Sequence, residues 1–135
     1  MLVILTALPW EADRFVQRLQ DRRRSELAQG WVVCGTRGAL EYCVVVSGPG
    51  PDRARAAIAA LDPPPTAMLA TGVAGGLSLG MGAGSLVLAD QLLASPESRP
   101  LKPEAHLAAW VGQTLARDSI PYRSGGNLSV ATELT

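Results

Sequence analysis

Apolar residues recur along this chain in two rhythms, and the switches between them predict the order of its elements. Residues 2–7, LVILTA, form an unbroken aliphatic run, the pattern of a strand buried on both faces. PWEADRFVQRLQDRRR follows, with Ala12, Phe15, Val16 and Leu19 at helical spacing. Pro9 suits the first turn of that helix, and Glu11 and Asp13 suit its positive end. The predicted helix runs on to the basic cluster Arg22, Arg23 and Arg24.

Residues 31–36 and 41–47 read as two strands joined by a turn at RGA, with Gly38 available for a positive φ. A helix then starts at Pro51 and Asp52 with Ala54, Ala57, Ile58 and Leu61 as its apolar stripe. DPPP ends it, because proline supplies no donor and clashes with the preceding turn. TAMLATG predicts a short buried strand running into a glycine-rich stretch, and SLVLADQLLAS predicts another buried strand. After a proline-containing loop at 95–103, Leu107, Ala108, Val111 and Leu115 predict a helix over 104–117, and GGNLSVATELT begins as a strand. Strands interleaved with helices predict an α/β fold, a three-layer sandwich whose twisted central sheet is made mixed by the hairpin.

Composition narrows the class. The 135 residues are 47% apolar and 18% charged, which fits one soluble globular domain over 1–135. Twelve Lys and Arg balance twelve Asp and Glu, so no net field draws the chain to nucleic acid or anionic lipid. The three arginines read as cations at the negative end of a helix, facing solvent. Cys34 and Cys43 lie on adjacent predicted strands without CxxC spacing, and the single histidine, His106, is far along the chain. Two buried thiols are expected there, and no metal site. MLVILTALP lacks a basic flank and is too short to cross a bilayer, so it reads as a core strand of a cytoplasmic protein.

In open α/β sheets ligands bind beyond the carboxyl ends of strands, which singles out TALPWE, SGPGPDR and TGVAGG. A dinucleotide fingerprint fails because Arg53 stands where the third glycine is needed, and no GK[ST] supplies a phosphate loop. SGPG is open to two readings, a plain turn or a ligand loop. The glycines at 72, 75 and 76 suit either backbone passing close to a ligand or a mobile bulge. Glu11, one turn into its helix, is either a general base or a carboxylate serving the helix dipole.

Together the blocks VILTALPWEADRF, VVVSGPGPDRARAA, LATGVAGGLSLGMGAGSLVLAD and GGNLSVATE resemble the nucleoside phosphorylase and nucleosidase superfamily. The likeness is greatest to its hydrolytic branch, the methylthioadenosine/S-adenosylhomocysteine nucleosidases and adenosylhopane nucleosidase. It implies that Glu11 positions and activates a water, that Gly72, Val73, Ala74 and Gly75 line the ribose and base, and that Ser47, Gly48 and Pro49 lie beside the 5′ side of the sugar. Phosphorolytic members place arginines where this chain has Glu11 and Ala70, so the resemblance implies hydrolysis of an N-glycosidic bond. It further implies a small-molecule nucleoside as partner, no cofactor, no metal and a homodimer. The family's purine-protonating acid and ribose-binding glutamate fall in a C-terminal portion beyond this sequence, so little or no activity is expected of the chain by itself. A nucleoside phosphorylase and a non-catalytic nucleoside-binding module are the alternatives.

Overall fold

The structure is a computed structural model and describes residues 1–95 and 97–128. Ten elements follow in order: β1 (Leu2–Thr6), α1 (Pro9–Gln17), β2 (Gln20–Leu27), β3 (Gly30–Arg37), β4 (Leu40–Val46), α2 (Pro51–Ala59), β5 (Ala67–Ala70), β6 (Val87–Leu93), α3 (Ala105–Arg117) and β7 (Arg123–Leu128). They belong to two compact units that divide after Gly75.

The first unit is built on a five-stranded sheet in the order β2-β3-β4-β1-β5. β1 runs parallel to both β4 and β5, whereas β2, β3 and β4 form an antiparallel meander, so the sheet is mixed as expected. Alternation along β1 and β4 divides the core between its two faces. Ile4, Tyr42, Val44 and Val46 meet Ala12, Phe15, Val16 and Leu19 of the α1 segment. Val3, Cys43 and Val45 meet Ala57, Ile58 and Leu61 of the α2 segment on the opposite face. Helix, sheet and helix make three layers, and the aliphatic runs are continuous because each strand is covered twice.

Three expectations are corrected in this unit. The first helix stops at Gln17, and Arg22, Arg23 and Arg24 lie on the edge strand β2. Leu19 turns into the core and Asp21 adopts φ 50°, after which the backbone is satisfied by the β3 ladder instead of a helix. All three arginines are exposed, Arg23 pairing with Glu41, Arg24 with Glu26, and the Arg24 guanidinium lying 4.6 Å from the Trp31 ring centroid. Such a charged edge resists a further strand. Arg22 still serves the helix end, donating to the carbonyls of Gln17 and Leu19.

The cysteines are likewise not two thiols. Cys34 and Cys43 stand directly opposite in the β3–β4 register, with Cα atoms 4.0 Å apart, and are joined as a disulfide. Direct cross-strand opposition brings two Cβ atoms close enough for their sulfurs to bond, which sequence spacing cannot show. β5, finally, is half-buried: Ala67 and Leu69 are partly covered while Met68 and Ala70 are exposed, since among the described residues β5 pairs with β1 alone.

In the second unit β6 and β7 pair in parallel across the α3 crossover. β6 was expected to be a buried strand; among the described residues of its unit it pairs with β7 and bridges Leu101 through Leu92, and Val87 and Leu92 are exposed. Leu107, Ala108, Val111 and Leu115 form the inward side of α3 as predicted. Glu104 caps that helix by accepting from the N–H groups of His106 and Leu107. The strand expected to begin at GGNLS is β7, and residues 129–135 of that segment lie outside the described residues. No described helix is long and apolar enough to cross a membrane.

Candidate active site

Parallel strands deliver their carboxyl ends to one edge of a sheet, and in the first unit that edge is formed by β4, β1 and β5. The register sets Thr6 beside Val46 and Leu5 beside Ala70. The ladder continues one residue further on each side. Ser47 N–H donates to the Thr6 carbonyl at 3.1 Å, and Thr71 N–H donates to the Leu5 carbonyl at 2.9 Å. Seven of the eight residues singled out from the sequence lie on the loops after β4 and β5, and the eighth, Glu11, lies in the first turn of the helix that follows β1.

Glu11 enters from α1. Leu8 at the N-cap has no side chain able to serve the first turn, and Glu11 reaches back instead, its Oε2 accepting from Ala7 N–H at 3.1 Å and Leu8 N–H at 2.9 Å. Its other oxygen, Oε1, accepts from Val73 N–H at 2.9 Å. The half-buried carboxylate therefore joins the exit of β1 to the exit of β5. A carboxylate offers about four lone-pair sites, so these three backbone donors leave one site on Oε1 without a donor among the described residues. That is the geometry of a group held rigidly with one acceptor site to offer a water.

Gly72 is what lets this contact form. A Cβ at that position would lie 2.7 Å from Glu11 Oε1 and 3.0 Å from its Cδ. A side chain there would occupy the place of the carboxylate. Val73, Ala74 and Gly75 continue as exposed backbone, and nothing lies within 4 Å of a Cβ added at Gly75.

The loop after β4 is built differently. Ser47 is 2% exposed, and its hydroxyl donates to the Gly48 carbonyl at 2.8 Å. Its side chain is thus committed to the loop's own backbone, and it faces inward. Gly48 has φ 79° and Gly50, the N-cap of α2, has φ 102°, conformations that favour glycine at both places. Pro49 between them is exposed.

Two residues inside the stretches TALPWE and SGPGPDR were given no part in the site by sequence reasoning. Thr6 is 1% exposed, with its hydroxyl within reach of the Val45 and Leu8 carbonyls, so it ties β1 to β4 where the strands end. A single hydroxyl closing an aliphatic run was the available signal. Arg53 folds back from α2 over Gly48, a contact that spacing along the chain does not foretell.

The sequence model of the phosphorylase superfamily matches residues 1–125. No curated protein matches the chain by sequence. Among solved structures, S-adenosylhomocysteine nucleosidase from Streptococcus pyogenes, in complex with 5-methylthiotubericidin, has a TM-score of 0.86 at 19% identity, covering 97% of this chain and 63% of its own. The 5′-methylthioadenosine/S-adenosylhomocysteine nucleosidase from Streptococcus pneumoniae, with a transition-state inhibitor, has a TM-score of 0.83 at 22% identity over 97% of this chain and 64% of its own. The Helicobacter pylori enzyme of the same name has a TM-score of 0.85 at 20% identity over 95% of this chain and 63% of its own. This chain therefore spans somewhat less than two thirds of the length of these nucleosidases.

Proposed function

Because the chain belongs to the phosphorylase superfamily, we propose that it carries the nucleoside-binding edge of a purine nucleosidase, hydrolysing the N-glycosidic bond of an adenosyl-type nucleoside. The observation that carries this reading is the Glu11 carboxylate held between Ala7, Leu8 and Val73, with one acceptor position on Oε1 left without a donor among the described residues. From that position Glu11 orients a water toward the anomeric carbon and takes its proton as the ribosyl group gains oxocarbenium character. The backbone of Gly72, Val73, Ala74 and Gly75 forms the floor for the sugar and base, and the loop Ser47–Pro49 borders the 5′ side. Inorganic phosphate is a poor nucleophile at this place, because Glu11 is anionic and Ala70 supplies no cation.

The solved nucleosidases are matched over about 63% of their length, so the activity assigned to this chain is that of the matched portion. A second reading, a nucleoside-binding module without catalysis, is favoured by the same three hydrogen bonds, which serve equally well as a structural clasp.

Free base is to be measured chromatographically after incubating the chain with 5′-methylthioadenosine and with S-adenosylhomocysteine, with and without phosphate. Adenine release that ignores phosphate and drops at least about 100-fold in Glu11→Gln supports the hydrolase. Release that needs phosphate assigns a phosphorylase, and calorimetric binding without release assigns the binding module. Neither release nor binding, or an unchanged rate in Glu11→Gln, overturns the assignment of Glu11.

A further inference from the structure

Thr6 ends β1 on a face of the strand otherwise built for packing. Leu2 and Ile4, its neighbours at period two, belong to the apolar cluster formed with α1. A valine has the shape of threonine and would fill the same place. The residue is 1% exposed, so its hydroxyl costs free energy unless it is hydrogen-bonded.

Two carbonyls serve that hydroxyl among the described residues, Val45 at 3.4 Å and Leu8 at 3.5 Å. A hydroxyl carries one proton, so the two acceptors share it in a three-centre bond. One arm is anchored on β4, where Val45 is fully buried. The other reaches the N-cap of α1. There the Leu8 carbonyl also accepts from Glu11 N–H at 3.1 Å, while Glu11 Oε2 accepts in return from Leu8 N–H at 2.9 Å and Ala7 N–H at 3.1 Å. Residues 6–11 thus close into one turn around the carboxylate, and Thr6 ties that turn to β4.

We infer that Thr6 is a positioning residue for Glu11: its hydroxyl orients the Leu8 carbonyl and so sets where the carboxylate stands between the β1 and β5 exits. The inference rests on the nucleosidase reading for the reaction it serves, and on these hydrogen bonds for its geometry. Both arms are long, so the expected effect is about three- to tenfold.

Amide hydrogen exchange of the 135-residue chain, followed by NMR, reads opening at single groups. In Thr6→Val the amides of Ala7, Leu8 and Val73, which donate to Glu11, are expected to exchange about three- to tenfold faster. Ser47 N–H and Thr71 N–H, which donate to the β1 backbone, are expected to stay within about twofold. Thr6→Ser, which keeps the hydroxyl, is expected to restore the parent pattern. In a Glu11→Ala background the effect of Thr6→Val on Val73 is expected to vanish, because the group that transmits it is gone.

Equal acceleration at all five amides makes Thr6 a structural tie between strands and overturns the inference. So does an unchanged Val73 amide, or an effect on Val73 that survives Glu11→Ala. Should Thr6→Val not fold, the parent chain decides: a nuclear Overhauser effect between the Thr6 hydroxyl proton and Glu11 N–H is expected, since both point at the Leu8 carbonyl, and its absence overturns the inference. In adenine release, Thr6→Val is expected to lower kcat about three- to tenfold with KM within about twofold, and an unchanged kcat counts against the positioning role. A parent chain that neither releases adenine nor binds the nucleoside removes the nucleosidase reading, while the exchange pattern still decides the hold of Thr6 on Glu11.

Discussion

The backbone N–H of Val73 donates to Glu11 Oε1 at 2.9 Å, joining two residues that are 62 positions apart in the chain. The contact ties two strand exits together: Glu11 holds the turn after β1 through Ala7 and Leu8, and the same carboxylate fixes the start of the glycine stretch after β5. The position of the acid and the shape of the floor beside it are set by a single group.

Gly72→Ala tests that coupling. The added methyl would sit 2.7 Å from Glu11 Oε1, so either the carboxylate or the β5 exit must move. A loss of about 1–3 kcal/mol is expected in urea unfolding, with weaker adenosine binding. Gly75→Ala, which meets nothing within 4 Å, is expected to change stability by less than about 0.5 kcal/mol. Equal effects of the two substitutions would count against the clasp.

Gly30→Ala acts on the same edge from below. Gly30 has φ 152°, and a Cβ there would collide with the Val46 carbonyl oxygen, immediately before Ser47. The β4 end must shift to admit it. A destabilisation of about 3 kcal/mol is expected, together with loss of nucleoside binding, readable by urea unfolding and calorimetry.

The Cys34–Cys43 disulfide predicts a chemical result. Under non-reducing conditions the denatured chain should take up no alkylating agent, and after reduction it should take up two equivalents, as read by intact mass. The bridge closes a short loop, with a sequence separation of 9, so replacing both cysteines by serine is expected to cost about 2–3 kcal/mol by thermal unfolding. Alkylation without reduction would show the thiols to be free.

Acid should act on the second unit through Glu104. The N–H groups of Leu107 and then His106, both donating to its carboxylate, hold its pKa below the ordinary value of 4.5. A depressed folded-state pKa means that the stabilisation is present above the unfolded-state value and fades as pH falls through the lower, folded one. Helix content in Glu104→Ala should therefore lie below that of the parent at neutral pH, and the two circular-dichroism curves should converge well below pH 4.5. A gap that persists unchanged into strong acid would rule out the carboxylate as its source.

Much of the site was readable in one dimension because its parts are local. LVILTA followed by PWE places an acid three residues into a helix whatever the fold, and SGPGPD announces a glycine turn into a helix with proline at its first position. The residues of the β1, β4 and β5 exits were identified for the same reason, since a strand end is a boundary in the pattern. What the pattern could not distinguish was the working of each side chain. Ser47 and Glu11 are both polar residues just past a strand, yet the hydroxyl is bound to its own loop and the carboxylate spans to another.

The sequence by itself determined most of the alternation of strands and helices, the two-sided burial of β1, and the glycines required at the turns, because each follows from local sterics or from the hydrophobic pattern along the chain. Only the tertiary structure decided that DRRR would leave the helix for an edge strand, that Cys34 would face Cys43, and that β6 would pair with β7. Each of these depends on which backbone lies alongside, and hydrogen bonds to a neighbouring strand outweigh a continuing helical period. The same holds for Glu11: its residue type and place on the helix were written in the chain, but its grip on Val73 exists only because β5 lies parallel to β1 and Gly72 leaves room for a carboxylate.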